Sequence, residues 1–321
     1  MRSSPVSKKV SRLSEFEIEC KGLTKRFGAF TAVDGISFGV KRGEIFGFLG
    51  PNGCGKSTTI RMILGLLSPS SGSTYVAGMD SAKDSDKIRQ RVGYMSQKFS
   101  LYDDLTVKEN LDFFAGIYGM HGSVRRARID EVTNLIDLTE FKNALVASLS
   151  TGLRQRLALG ASILHSPEIL ILDEPTSGVD PLSRRRLWNL INELANRGRT
   201  ILVTTHAMDE AEHCHRVTMM QSGHVVCTGS PEDLRANQVE GIVYTIDCHP
   251  LFPALSAAES INGVVDASVL GSRLHIRVPT GGISPESICE SLRHSGIMVS
   301  GFGLGETTLE DVFVAVAGEA S

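Results

Sequence analysis

The sequence predicts an α/β protein: a parallel-sheet core carrying a helical insertion, with a small α+β unit appended on its C-terminal side. Three observations predict it. Short apolar runs of the kind a parallel strand buried on both faces needs occur at 44–49 and 169–172. Between them, the stretch to about residue 165 is mostly helical in its spacing of apolar side chains. From about residue 240 the pattern changes to short strands separated by turns and helices.

A chain of 321 residues with 41% hydrophobic and 21% charged side chains has the composition of a globular protein with one sizeable domain and a smaller second one. A net charge of −3 and a pI near 6.3 remove the bulk electrostatic argument for nucleic-acid binding, and none is expected as a partner. No segment approaches the roughly 18 consecutive apolar residues that span a bilayer, so work at a membrane would require a partner. The polar, basic start lacks the apolar segment of a secretory signal, and residues 1–15 are expected to form a disordered tail. Six cysteines show neither a CxxC pair nor zinc spacing, a usage that suits a reducing cytoplasm. His213-Cys214-His215 has metal-ligand chemistry, but neighbours on a helix point in different directions, so one ion could hardly use all three.

Residues 16–20 and 32–40 alternate like strands, and Phe27 lies between them ahead of Gly28. Its ring would either stack on a purine or serve as an ordinary core or turn phenylalanine. The apolar strand at 44–49 runs into Gly50-Pro51-Asn52-Gly53-Cys54-Gly55-Lys56-Ser57-Thr58, which fits the phosphate-loop pattern of two glycines, a lysine and a hydroxyl in fixed register. A helix follows over 59–64, so loop N–H groups and the helix N-terminus can wrap a polyphosphate. Lys56 would then reach the β- and γ-phosphates, and the Ser57 hydroxyl would hold the magnesium ion that bridges them. Cys54, close to Lys56 and a helix N-terminus, is expected to favour its thiolate.

Downstream, 91–97 reads as a short strand ending in Gln97, followed by helical spacing at 105–114 and 129–138. Ser150 and Gly152 precede a helix expected at 155–164, which offers either a second anion site or a plain serine cap. The run at 169–172 closes with Asp173 and Glu174. Ligands of open α/β sheets bind beyond the carboxyl ends of the strands, so both acids would face the phosphate loop. There Asp173 can hold magnesium through its water shell, and Glu174 can polarise the attacking water as a base. Another strand, 200–205, ends at His206, within reach of the γ-phosphate at the same edge. Strands at 242–246, 264–270, 274–278 and 297–299, with helices at 285–294 and 308–316, complete an α+β unit that carries no catalytic constellation.

In order and spacing these pieces resemble the nucleotide-binding subunit of ATP-binding cassette (ABC) transporters, over roughly residues 16–235. The resemblance implies a P-loop (RecA-like) NTPase fold, with a cassette domain over 16–238 and an accessory domain over 239–321. It also assigns roles: Phe27 stacks adenine, Gly50 to Thr58 is the Walker A loop, and Gln97 senses nucleotide and joins Ser57 and Asp173 around magnesium. Ser150 and Gly152 belong to the signature loop that reaches ATP on an opposite subunit. Asp173 and Glu174 match Walker B and the catalytic glutamate, Asp180 the D-loop, and His206 the switch histidine; Glu174, His206 and Lys56 are the implied catalytic residues. The implied cofactors are ATP and Mg²⁺.

The Thr106-Val107-Lys108-Glu109-Asn110-Leu111 stretch and the closing Thr308-Leu309-Glu310-Asp311-Val312-Phe313 look most like ATPases that serve ABC-2-type exporters. The implied partners are such a permease and a second nucleotide-binding subunit, and the implied place is peripheral, on the cytoplasmic face of the inner membrane. The signature departs from Leu-Ser-Gly-Gly-Gln at Thr151 and Leu153, while Ser150 and Gly152 are kept. Segment 97–111, with Phe99, Leu101 and Tyr102 as anchors, is the expected docking surface. Competing readings are a ribosome-acting cassette ATPase, whose relatives carry two cassettes per chain, and a cassette that binds ATP without turnover. A chromosome-maintenance ATPase would need a long heptad insertion, which this stretch lacks.

Overall fold

The computed structural model describes residues 15–97 and 101–319, so the expected tail up to residue 14 and the anchor Phe99 lie outside the described residues. The chain divides into two compact units between Ser230 and Pro231.

The first unit opens with an antiparallel hairpin, β1 (Phe16–Phe27) and β2 (Phe30–Lys41). Both strands run further than their alternation predicts. Phe27 therefore ends β1 and pairs with Phe30, and the two-residue turn between them uses Gly28 at φ +60°. Next come β3 (Ile45–Leu49), α1 (Lys56–Ile63), the polar strands β4 (Ser71–Val76) and β5 (Met79–Asp80), α2 (Ser85–Arg91) and β6 (Val92–Met95). The helical insertion holds α3 (Val107–Ile117), α4 (Gly122–Leu135) and α5 (Thr151–Ile163). Helix α3 starts on a capping box, in which Thr106 and Glu109 satisfy each other's backbone N–H groups. The core resumes with β7 (Ile169–Asp173), α6 (Pro181–Asn196), β8 (Thr200–Thr205), the short α7 (Met208–Ala211) and the hairpin β9 (Arg216–Gln221) with β10 (His224–Gly229).

Two sheets result. The hairpin sheet has the order β2-β1-β4-β5, and the central sheet the order β10-β9-β3-β8-β7-β6. Within the central sheet, β9, β3, β8, β7 and β6 are parallel. Every residue of β3 and β7 is buried, which explains their unbroken apolar runs. The core lies between the sheets around α1, where Phe38 of β2 stacks on Phe46 and Phe48 of β3 with centroids 5.7 and 5.1 Å apart. Because β8 lies between β3 and β7, Leu49 pairs with Thr205 and Asp173 with Thr204. The carboxyl ends of all three strands thereby meet at one edge.

The second unit begins with α8 (Pro231–Asn237), so the division falls ahead of the expected 238/239 boundary. Helix α8 buries Leu234 and packs with the last helix, α11 (Leu309–Glu319), which explains its place in this unit. Between them run β11 (Ile242–His249), α9 (Leu251–Glu259), β12 (Asp266–Leu270), β13 (Arg273–Val278), α10 (Pro285–His294) and β14 (Met298–Leu304). The strands form an antiparallel sheet of order β12-β13-β11-β14, a split βαβ arrangement. Its core joins Ile246, Leu274 and Ile276 to Ala254, Ala258, Ile288 and Leu292 of α9 and α10. A buried hydrogen bond between His275 Nε2 and Asp311 Oδ2, at 2.9 Å, ties β13 to α11.

Candidate active site

The loop from Gly50 to Thr58 bends where only glycine fits. A Cβ on Gly50, at φ +152°, would stand 2.2 Å from the Met220 carbonyl oxygen, and one on Gly55, at φ +113°, 2.5 Å from that of Ala32. Gly55 is also the N-cap of α1 and supplies no side-chain acceptor, so the N–H groups of the first turn remain available to an anion. Pro51, Asn52 and Gly53 form the exposed crown of the loop, and Ser57 and Thr58 are half-buried. Lys56 is buried and folds back across the loop, donating from Nζ to the carbonyls of Gly50 at 2.6 Å and Pro51 at 3.2 Å.

Cys54 departs from its expectation. Its side chain is 3% exposed and packs in the core, and burial raises the thiol pKa by more than nearby Lys56 lowers it. The loop gains a small apolar floor and no thiolate. Mass-spectrometric mapping of a maleimide pulse on native protein should therefore find the half-buried Cys248 modified first and Cys54 spared. Equal labelling of the two would contradict this.

At the strand edge, Asp173 and Glu174 do face the loop. Ser57 Oγ lies 3.5 Å from Asp173 Oδ1, and the same oxygen accepts from Thr204 Oγ1 at 2.6 Å. Glu174 is 6% exposed and stands at φ +50°, a left-handed backbone that costs a non-glycine residue about 1–2 kcal/mol. Its N–H is held by both the carbonyl and the hydroxyl of Thr204, at 3.1 and 3.0 Å. Its carboxylate collects Gln97 Nε2 at 3.0 Å, His206 Nδ1 at 3.4 Å and Lys56 Nζ at 3.6 Å. A buried carboxylate ringed by such donors, beside a phosphate loop, can orient a water and take its proton. Strain concentrated at this residue accords with a functional position.

The donor set fits magnesium, which takes hard oxygen ligands: the Ser57 hydroxyl and Asp173 carboxylate stand side by side, and Gln97 has a carboxamide oxygen to add. Thr204, which orients both acids, was not legible as a site residue. The signal that could have found it is a pair of hydroxyls, Thr204 and Thr205, closing an otherwise apolar buried strand.

Ser150, Gly152 and Asp180 gather elsewhere. Ser150 accepts the Leu153 N–H and so caps α5, which places Gly152 inside the first turn of a helix that starts earlier than expected. A Cβ on Gly152 would meet Ser183 Cβ at 2.5 Å, and Asp180 caps α6 by accepting the Ser183 N–H at 2.9 Å. Gly152 and Asp180 thus meet at Ser183, with Ser150 capping the helix that carries Gly152, whereas Lys56, Ser57, Gln97, Asp173, Glu174 and His206 are joined to one another by the contacts above. Phe27 is half exposed at the hairpin tip, with Lys25 Nζ 5.2 Å from its ring centroid. The His213-Cys214-His215 directions diverge: His213 stacks on Trp188, Cys214 is buried, and His215 Nδ1 accepts the Ile45 N–H at 2.9 Å.

A family model described as ABC transporter matches residues 33–177. The chain is 52% identical over 222 residues to the probable multidrug ABC transporter ATP-binding protein YbhF of Escherichia coli, covering 69% of this chain and 38% of that protein. It therefore spans well under half of that relative. It is 34% identical over 308 residues to the linearmycin resistance ATP-binding protein LnrL of Bacillus subtilis, covering 94% of this chain and 98% of LnrL. Among solved structures, the dimeric post-hydrolysis ATP-binding cassette MJ0796 with ADP and Pi superposes with a TM-score of 0.61 at 28% identity, over 66% of this chain and 98% of that one.

Proposed function

The chain belongs to the ABC transporter ATP-binding family, the ATPase cassettes built on the P-loop NTPase fold, and from that premise we propose that it energises export through an ABC-2-type membrane permease. The observation that carries the ATP-hydrolysing part of this reading is the buried Glu174 carboxylate, held between Lys56, Gln97 and His206 at the edge where the phosphate loop begins. In the proposed reaction the loop N–H groups and Lys56 bind the β- and γ-phosphates of ATP, and Phe27 stacks on adenine. Ser57, Asp173 and Gln97 would hold magnesium, which would supply positive charge against the phosphate oxygens. Glu174 takes the proton of the attacking water, and His206 holds the γ-phosphate against it. Ser150 and Gly152 of a second cassette close the site, so ATP holds two cassettes together and its hydrolysis releases them, with Asp180 beside the seam. The multidrug and linearmycin-resistance names of these two relatives support export as the direction of transport. Steady-state phosphate release by the purified protein tests the reading; ATP binding without turnover would leave a regulatory cassette instead.

No helix among the described residues is long and apolar enough to cross a membrane, so the permease is the proposed anchor on the cytoplasmic face of the inner membrane. The docking surface proposed is the segment after Gln97. Tyr102 is 44% exposed and meets Phe113 of α3 edge-on at 4.8 Å, giving an aromatic pair of the kind that anchors interfaces. Tyr102→Ala should weaken pull-down with the permease about tenfold or more while leaving the ATPase of the isolated subunit intact. Undiminished pull-down and transport would place docking elsewhere.

A further inference from the structure

Glu210, on the short α7, is 2% exposed, carries a carboxylate and has no part in the reaction proposed above. A buried carboxylate persists only where its oxygens are satisfied, so its partners show what it is for. It accepts a hydrogen bond from the hydroxyl of Thr176, in the loop that leads from Glu174 to Asp180. Its other oxygen accepts from Thr205 Oγ1 at 2.8 Å, and Thr205 immediately precedes His206. An ion pair from Arg184 Nε at 3.5 Å completes the set, and Arg184 lies in the first turn of α6, the helix that Asp180 caps. Three segments that carry Glu174, Asp180 and His206 therefore converge on one side chain.

Each partner is itself fixed to the site. Thr205 Oγ1 accepts the Ala207 N–H at 3.0 Å, which pins the turn bearing His206, and the Thr205 carbonyl accepts the Gly50 N–H at 3.3 Å. Around Thr176, Ser177 N–H bonds to the Glu174 carbonyl at 3.2 Å and Val179 N–H to the Thr176 carbonyl at 3.1 Å. Resting on the ATPase reading above, we propose that Glu210 is a positioning residue that holds His206 in register with Glu174 and transmits movement of the Asp180 segment to that pair. It touches neither nucleotide nor reacting atoms and acts through Thr205 and Thr176.

Glu210→Gln keeps the shape of the side chain and removes the charge that organises its partners. We expect ATP affinity to stay within about twofold of wild type and kcat to fall about 10²-fold, the scale of a 1 Å misplacement of a catalytic group. A merely structural residue would be separated by a cycle with His206→Ala. If Glu210 acts through His206, His206→Ala should cost little further in the Glu210→Gln background; equal and additive losses in both backgrounds would overturn the proposal. Should Glu210→Gln fail to fold, Thr205→Ser and Thr205→Val replace it: the serine should retain turnover and the valine lose it, and equal turnover in both would overturn the proposal. Glu174→Gln run alongside separates the two levels. No turnover in the wild type refutes the ATPase reading itself and turnover surviving in Glu174→Gln refutes Glu174 as its base, whereas loss in Glu174→Gln together with wild-type turnover of Glu210→Gln refutes only the role of Glu210.

Discussion

Purified Glu174→Gln protein is expected to bind ATP and to turn it over about 10²–10⁴-fold more slowly than wild type, the cost of removing a general base. The amide preserves the size of the side chain and keeps one oxygen for Gln97 or His206, which approach the carboxylate at 3.0 and 3.4 Å. What it loses is the capacity to accept the proton of the attacking water. Lys56 also loses its ionic partner at 3.6 Å, yet it retains the Gly50 and Pro51 carbonyls and remains next to the loop that receives the phosphates. Binding and chemistry should therefore separate: equilibrium titration with a fluorescent ATP analogue gives a dissociation constant near that of wild type, while phosphate release nearly stops. Undiminished release would remove Glu174 from the mechanism.

Placing a carboxylate at Ser150 is expected to abolish steady-state turnover with no loss of stability. Gly152→Asp is an unsuitable way to put charge there, since even a Cβ at Gly152 would strike Ser183 at 2.5 Å and disturb the start of α6. Ser150 is exposed and its structural task is to cap α5. Aspartate caps a helix as well as serine does and is favoured by the helix dipole, so Ser150→Asp should melt no lower than wild type. Against a γ-phosphate brought by another chain, the same carboxylate repels. Ser150→Asn caps equally and carries no charge, so it should keep most of the activity. Thermal melts and phosphate release on the pair check this; similar activity in the two variants would mean that Ser150 faces no phosphate.

The parts of the site that could be read in the sequence are those whose chemistry is written in consecutive residues. Gly50 to Thr58 announces a phosphate loop, and the runs before Gly50 and Asp173 announce parallel strands because both faces of each are buried. Less legible were elements defined by what packs on them. Strand β4, Ser-Gly-Ser-Thr-Tyr-Val, is mostly polar, buries only Thr74 and Val76, and is specified by its pairing with β1. Cys54 misleads for a related reason: Lys56 and the helix N-terminus are visible in sequence, whereas the direction of the thiol, inward, is not. Thr204 and Glu210 went unread because their partners, Asp173 and Thr176, lie 31 and 34 residues away. The α5 start illustrates the boundary problem, since serine caps and serine anion sites look alike until the Leu153 N–H is seen to bond to Ser150.

Mixing Lys56→Ala with Ser150→Asp tests most directly whether each working site is built from two chains. Lys56→Ala spoils the phosphate loop and leaves Ser150 untouched; Ser150→Asp does the reverse. Each alone should be nearly inactive. In the heterodimers that form on mixing, one site pairs an intact loop with an intact Ser150, so phosphate release should reappear and rise with the heterodimer fraction, toward about half the wild-type rate per heterodimer if its one intact site works alone. A mixture in which heterodimers are demonstrated by native mass spectrometry, yet which stays as inactive as its components, would contradict the two-chain site.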